Sequence, residues 1–477
     1  MVETSYEPGL LSVIPPLLAI LLAIITRQVI LSLSIGIWIG FCILESVNPL
    51  TGLALAIEAV VNVFGDAGDT RVLVFTLVIG GLIATIEQVG GVRGFIRLLE
   101  SRNWVDNGKK AKWLAYCTGI VVFIESNITL LVAGSISRPL FDRYKIAREK
   151  LAYIIDSTSA PICILIPLNA WGAVVIGLLA SAEIDEPISV FIAAIPFNLY
   201  PIIVIAVAAM VIARNINIGP MKKAQERTEG GQVLWPNSAP MLDPVMAEAG
   251  SAVTGNAQDK AKFMILPIAV MVLSMPLSLY ITGAGDITAG SGSTSVLWAV
   301  LLALAVLWLM VLVAGRARLD ELMNTFLKGA GGFLPVAMIL LFALALGDVA
   351  GLLGTGAYVA QVAQETIPVV LLLPLLFLVS SFIAFSIGSS WGTFAIMIPL
   401  AMQIVISLQM PPELFLAAVL SGSVFGDHAS PISDTTVVSS MAAATDHIEH
   451  VRTQLPYALI SAAMATLGFL LVGLFLL

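Results

Sequence analysis

Four acidic residues stand where water does not reach them easily. Glu125, Asp156, Asp427 and Asp434 lie inside apolar or interrupted segments, and no Lys or Arg shares their depth. A charge at the centre of a bilayer costs about 2.5–3.5 kcal/mol on insertion scales. Each acid must therefore be protonated, hydrogen-bonded or paired with a bound cation. A carboxyl that is neutral when protonated and holds a cation when it is not performs the simplest exchange of H+ for Na+. Around the acids lie Ser126, Asn127 and Thr129; Ser157, Thr158 and Ser159; Ser389, Ser390 and Thr393; and His428, Ser430, Ser433 and Thr435. Hydroxyl, amide and unwound-backbone oxygens make a hard-ligand set suited to Na+.

The composition supports a membrane setting. Of 477 residues, 58% are apolar and 11% charged, against about 25% charged in average soluble proteins. The mean hydropathy is +0.99. These values exclude an ordinary soluble enzyme, a disordered chain and a nucleic-acid binder. Cys42, Cys117 and Cys163 form no CxxC or Cys/His cluster, and the three histidines form no HExxH. Glu3 and Glu7 precede the first apolar run without an early basic residue, so residues 10–25 read as a retained first helix.

A crossing helix needs about 20 apolar residues. Crossings are expected near 10–26, 28–47, 71–90, 151–180, 188–213, 262–281, 295–315, 330–347, 413–441 and 455–477. Two further stretches, about 113–137 and 369–409, read as re-entrant hairpins. The first is flanked on both sides by basic residues, from Arg93 to Lys112 and from Arg138 to Lys150. If both flanks face the cytoplasm, the stretch between them must enter and return. All but Arg71 of the 23 Lys and Arg then fall on the cytoplasmic side. The arrangement puts both termini outside the cytoplasmic (inner) membrane.

The same order of elements occurs twice. The expected fold is an all-α polytopic membrane protein of two inverted repeats, each with five transmembrane helices and one re-entrant hairpin. The first repeat covers 1–214, with its broken helix at about 151–180. A polar cytoplasmic linker, 215–260, is expected to be flexible and to carry no chemistry. The second repeat covers 261–477, with its broken helix at about 413–441. Inverted repeats of this kind are the architecture of secondary transporters, with the site at the midplane between the halves. Non-helical backbone at membrane depth must be satisfied by protein or by a wet cavity. Four places need that: the tips 125–129 and 388–393, and the breaks 156–161 and 426–431. Each tip is expected to meet the broken helix of its own half and to hold Na+ there.

Plainer roles stand beside these. Asp156 and Asp434 are also candidates for capping half-helices, and His428 for bonding a break carbonyl. Glu87 reads as a crossing end and Asp348 as an outer-surface residue. His447 and His450 read as a solvated cytoplasmic cluster. Trp171 and Trp391 are packing or gate residues.

The run Gly426-Asp427-His428-Ala429-Ser430-Pro431-Ile432-Ser433-Asp434-Thr435-Thr436 resembles the signature of the NhaC-type Na+/H+ antiporter family. Residues 446–457, 388–394 and 148–161 extend the likeness. The resemblance covers nearly the whole chain apart from the linker. It places the chain among ion transporters with two re-entrant hairpins, whose Ser-Asn-Thr tips are similar to Ser126-Asn127-Ile128-Thr129 and hold Na+. It also implies a homodimer and an elevator-type movement of the hairpin-bearing part. Many family members carry paired aspartates in the first tip, where this chain has Glu125-Ser126-Asn127. After the first break it has Ile166-Pro167-Leu168-Asn169, and Asn169 is placed to orient an organic substrate or to line the break. The expected function is a secondary active transporter, not an enzyme, that exchanges cytoplasmic Na+ for external H+. Asp427, Asp434, Asp156 and Glu125 would couple the ions. The alternative is a Na+- or H+-coupled transporter of a small organic solute, an amino acid or carboxylate. No cofactor is expected beyond Na+ and H+. The expected surroundings are the lipid bilayer and a second copy of the chain, with no nucleic acid.

Overall fold

A computed structural model describes residues 7–26, 28–45, 48–100, 105–123, 126–167, 169–182, 184, 186–236, 238–240, 260–286 and 290–477. These residues form helices and their connections, and one isolated bridge pairs Pro240 with Asp446. Apolar residues line every face of most helices, as expected where lipid replaces water as the solvent. Helix α2 (Val29–Leu44) packs on α1 (Ile14–Thr26) before it and on α3 (Pro49–Asn62) after it. Helix α4 (Ala67–Gln88) follows, then the short α5 (Gly91–Glu100).

The first expected hairpin is α6 (Gly108–Val121) and α7 (Ser126–Arg143), packed on each other. The expected broken crossing is in three pieces: α8 (Arg148–Asp156), α9 (Ala160–Leu165) and α10 (Ala170–Ser181). The sequence reading has one break there, at 156–161. A second lies at 166–169, where Pro167 lacks the N–H that a continuous helix needs. Helices α11 (Pro187–Ala194) and α12 (Leu199–Arg214) meet at a bend of 43° near Asn198, where the sequence suggests a straight crossing.

The connector corrects an expectation. Its first part forms α13 (Pro220–Glu229), which is docked rather than flexible. Met221, Ala224, Arg227 and Thr228 are buried at helical spacing. Arg227 makes two bonds to Glu149, Nη1–Oε1 at 2.7 Å and Nη2–Oε2 at 3.0 Å, with both side chains buried. The guanidinium lies over the Trp235 ring, 4.8 Å from its centre. Ile218 N donates to Tyr457 Oη at 2.8 Å. Positions 237 and 241–259 lie outside the described residues.

The rest of the chain supplies α14 (Lys262–Thr282), α15 (Gly292–Val313) and α16 (Leu319–Leu352). Helix α16 starts eleven residues before the crossing expected at 330–347 and runs through it as one helix. After α17 (Thr355–Thr366), α18 (Leu372–Ile387) and α19 (Ser390–Leu408) form the second expected hairpin. Each of its arms, Val369–Ile387 and Ser390–Leu408, is 19 residues long, about 28 Å at 1.5 Å per residue. Helix α20 (Pro412–Ala429) packs along α18, then come α21 (Asp434–Ala443) and α22 (His447–Leu476). The α18–α20 contact depends on glycine: a Cβ on Gly422 or Gly426 would fall 2.3 Å from the Phe377 or Ser381 carbonyl oxygen. The break between α20 and α21 is Ser430–Ser433, around Pro431. Asp427 and His428, expected in the break, instead occupy the last turn of α20.

Among the described residues, seven helices are long and apolar enough to cross a membrane, and the bent α11–α12 pair would be an eighth if it is one span. Helices α1 and α2 are apolar but shorter. The chain is a multi-pass membrane protein.

Removing one partner of a buried ion pair strands the other charge, at a cost of about 3–5 kcal/mol. Arg227→Met should therefore lower the melting temperature clearly in a detergent unfolding assay. Adding Glu149→Met should recover most of that loss. Equal melting of wild type and Arg227→Met would show that the connector does not brace α8.

Candidate functional site

Two carboxylates organise the centre of the molecule. The first is Asp427, buried near the end of α20. Helix α18 stops at Gly388, whose φ of 75° is a left-handed conformation natural to glycine. A Cβ there would lie 2.7 Å from Ile432 O, so the tip is pressed onto the break. Ser389 caps α19 by accepting from Gly392 N at 3.4 Å. This aims the next residue inward: Ser390 Oγ donates to Asp427 Oδ2 at 2.8 Å. Ser433, from the break, donates to Asp427 Oδ1. Ser433 Oγ also lies 3.0 Å from Thr435 Oγ1. Ser430 ties the break to the tip by donating to Phe385 O at 2.7 Å. The turn between α18 and α19 thus touches the break between α20 and α21. Thr393 bonds back to Ser389 O at 3.0 Å and braces the tip rather than facing Asp427.

Asp434 does not join this cluster of hydroxyls. It starts α21, is exposed, and accepts from Thr435 N at 3.1 Å. The cap of α21 is Ser433, not Asp434.

The second carboxylate is Asp156, the last residue of α8 and 1% exposed. A helix C-terminus is electrically unfavourable for an acid, and Asp156 is no cap. Its Oδ2 accepts from Gln454 Nε2 at 2.7 Å. The same oxygen lies 3.4 Å from His450 Nε2 and 3.8 Å from His428 Nε2. Its Oδ1 has no hydrogen-bond partner. Gln454 Nε2 also donates to His428 O at 2.6 Å, binding the end of α20 to α22. Tyr200 Oη lies 2.6 Å from His428 Nδ1. A hydroxyl donating there assigns the ring proton to Nε2, which faces Asp156 and, at 3.4 Å, Ser157 Oγ. His450 Nε2 is also 3.0 Å from Ser439 Oγ.

His450 was read as part of a solvated cluster, and the structure buries it completely against Asp156. His447 lies at the surface, 2.6 Å from Pro431 O, where it braces the break. Gln454, Tyr200 and Asn198 were not singled out from the sequence. Gln454 had a signal, because it follows His450 by four residues on a helix and so shares its face. Asn198, at the α11–α12 bend, is buried with both amide atoms unpartnered.

At the first tip, Glu125 lies outside the described residues. Ser126 and Thr129 are buried, with Thr129 donating to Val122 O. Asn127 Oδ1 has no partner among the described residues. Thr158 and Ser159 donate to Ile154 O at 2.9 Å and Asp156 O at 3.1 Å, and so satisfy carbonyls freed by the break. Asn169 spends both amide hydrogens on Phe123 O at 3.0 Å and Cys163 O at 2.7 Å. Its Oδ1 accepts from Gly172 N at 3.0 Å and caps α10. It stitches the second break to the first tip. Trp171 packs on Trp391, ring centres 4.8 Å apart, so α10 meets α19 beside Ser390.

The family described as Na+/H+ antiporter matches residues 173–474. An uncharacterized protein of Haemophilus influenzae is 33% identical over 98% of this chain and 92% of its own length. The malate-2H(+)/Na(+)-lactate antiporter of Bacillus subtilis is 30% identical over 36% of this chain and 37% of its own. Among solved structures, the YdaH transporter of Alcanivorax borkumensis matches with a TM-score of 0.58 and 17% identity, covering 88% of this chain and 89% of that one. That last likeness is one of fold.

Asn169→Ala should act through structure. It orphans two carbonyls and a cap, a loss of about 1–3 kcal/mol. The melting temperature should fall while the apparent affinity for the transported ion stays within about twofold of wild type. A large affinity change at unchanged melting would instead put Asn169 in contact with the cargo.

Proposed function

The chain belongs to the Na+/H+ antiporter family, and we propose that it exchanges cytoplasmic Na+ for external H+ with a separate buried acid for each ion. The observation that carries this reading is the different company the two acids keep. Asp427 is surrounded by the hydroxyl oxygens of Ser390 and Ser433, with Thr435 Oγ1 beside them. Oxygen donors of this kind suit a hard cation. Asp156 instead faces two imidazoles, His450 and His428, and the Gln454 amide. Imidazole next to carboxylate is an arrangement for taking up and releasing a proton.

In this mechanism Ser390 and Ser433 rotate their hydroxyls away from Asp427 as Na+ arrives, turning oxygen lone pairs toward the cation. Asp156 with His450 and His428 holds the proton in the alternate state. Coupling runs through the end of α20: His428 follows Asp427 directly, and Gln454 grips both His428 O and Asp156. A displacement that fills one centre disturbs the other. Glu125, Asn127 and Asp434 belong to the reading as residues on the ions' path.

The topology is part of the proposal. The distribution of Lys and Arg supports both termini outside an inner membrane. Residues 1–214 and 261–477 act as inverted repeats with re-entrant hairpins, moving elevator-fashion within a homodimer. The close fit of tip 388–393 on its break supports treating hairpin and broken helix as one moving unit.

A second reading, exchange of a small organic solute coupled to Na+ or H+, has its own support. The buried indole N–H of Trp171 has no partner among the described residues and sits beside Trp391 and the Ser390 tip. The Bacillus relative is by name an antiporter of malate and lactate.

The test uses purified protein in liposomes with a trapped pH-sensitive dye and an acid interior. Added Na+ should release protons. Asp427→Asn and Asp156→Asn should abolish that response. Ser390→Ala should weaken the apparent Na+ affinity by about tenfold, the loss of one charge-assisted bond. Na+-driven flux retained in Asp427→Asn would remove that acid from the mechanism. Silence toward Na+ and Li+ from folded protein, with uptake of labelled malate or lactate, would establish the second reading.

A further inference from the structure

At the lysine-rich end of the first half, a cavity of about 380 Å³ opens between the start of α6, the loop at 144–146, the end of α12 and α13. Lys109, Lys112 and Lys145 line it together with Tyr144, Asn215 and Gln225. The one acid in its wall, Glu229, already accepts from Gln225 Nε2 at 2.9 Å. Two of the nearby ammonium groups are buried: Lys112 is 6% exposed and Lys150 1%. Each donates only to a neutral amide carbonyl, Lys112 to Asn215 Oδ1 and Lys150 to Asn217 Oδ1, both at 2.5 Å. Among the described residues, no carboxylate lies within ion-pair distance of Lys109, Lys112, Lys145 or Lys150.

Buried charges are ordinarily paired, and these lysines contrast with their neighbour Arg227, which is fully paired with Glu149. Burial, reinforced by the charge of Lys112 and opposed only by Glu229, pushes the Lys150 ammonium down to about 7. The low value means that Lys150 loses its charge near neutral pH unless an anion joins it, and the cavity wall itself carries Lys109, Lys112 and Lys145 against the single acid Glu229. The cavity volume falls in the usual small-molecule range of about 300–1,000 Å³, large enough for an ester group attached to a phosphate. Lysines act as point-charge phosphate binders, and basic pockets at the membrane interface take anionic headgroups.

We propose that this cavity binds a phosphate-bearing anion, supplied either as a phospholipid headgroup or as a free phosphate ester such as a nucleotide. The ligand bridges α6, α13 and the loop that leads into α8. It supplies the countercharge that the asparagines do not. It also clamps the connector to the helix that ends in Asp156, so its occupancy reaches the transport centre. The binding site stands on its own geometry, whichever ion the centre moves.

The experiment uses the full chain in phosphatidylcholine nanodiscs. Its melting temperature is followed against pyrophosphate or ATP at ionic strength matched with NaCl, and separately against rising cardiolipin content. The expected result is a saturable rise of several degrees in one arm. A rise with pyrophosphate or ATP identifies a soluble phosphate ester, and a rise with cardiolipin alone identifies a headgroup. The exposed pair Lys109→Gln/Lys145→Gln should leave the unliganded melting temperature unchanged and shift the midpoint at least tenfold. Lys112→Gln, at the buried wall, should abolish the response where it folds. No rise above the salt-matched control in either arm, or an unchanged midpoint in the exposed pair, overturns the proposal.

Discussion

A carboxylate buried without a Lys or Arg beside it sets the terms for everything around it. Asp156 and Asp427 are both in that position among the described residues, and both are 1% exposed. Such a group has to be solvated by the protein itself. An intact helix has few polar groups to offer, because its backbone is already paired and its side chains radiate outward. The chain meets the demand by ending helices next to each acid. Helix α8 stops at Asp156 and α20 stops two residues after Asp427. The interruptions let Ser433, Gln454 and the Ser390 tip reach in.

Interruptions create a second debt, since every broken turn frees carbonyl groups that lipid cannot satisfy. Much of the polar content near the centre goes to these. Thr158, Ser159, Asn169, Ser430 and His447 bond to Ile154, Asp156, Cys163, Phe385 and Pro431 carbonyls respectively. Ser390, Ser433, Gln454 and the two histidines are the ones left for the acids. A hydroxyl near a break thus has two possible employers, and only its bond shows which one holds it. The two centres also are not confined to their own stretches of chain. Helix α21 packs on α7 and α8, and a Cβ on Gly134 would fall 2.6 Å from that of Ala442. The acid of the first stretch is completed by His428, His450 and Gln454 of the second.

These facts explain how much was legible from the sequence. The acids stood out because charged residues are rare in apolar runs, and the Ser/Thr/Asn clusters marked the tips and the breaks. Pro161 and Pro431 located two breaks, although helix α20 runs through Asp427 to Ala429, because Pro431 takes the residue before it, Ser430, into an extended conformation. Pro167 marked the second break of the first crossing just as clearly, but its run stood out only as a departure from the family pattern after the break at 156–161. His450 and Gln454 were hidden by a rule of polarity. The apolar run begins near 455, so the polar turns of α22 before it read as a solvated loop, whereas tertiary packing buries them on Asp156. The bend at Asn198 had a signal in Pro196 and Pro201, which flank it and lack the N–H of a continuous helix, but the apolar run 188–213 reads as a single crossing. The connector was misread through overall polarity, although Met221, Ala224 and Thr228 trace a helical stripe once the helix is assumed.

The hydrogen-bond directions at Asp427 bear on which step of transport is slow. Ser390 and Ser433 act as donors to the carboxylate, and the same oxygens become cation ligands by rotation about a single bond. Side-chain rotations of this kind take picoseconds to nanoseconds where they are unhindered, while collective movements of helices take microseconds to milliseconds. No backbone change is needed to convert the cluster from a hydrogen-bonded acid into a set of cation ligands. The backbone does hold the tip to the break, through Gly388 against Ile432 and Ser430 on Phe385. In the proposed exchange, recognition of the ion is therefore a local and rapid event. In that same proposal the rate belongs to the movement that carries the tip and break, still joined, between the two faces of the membrane.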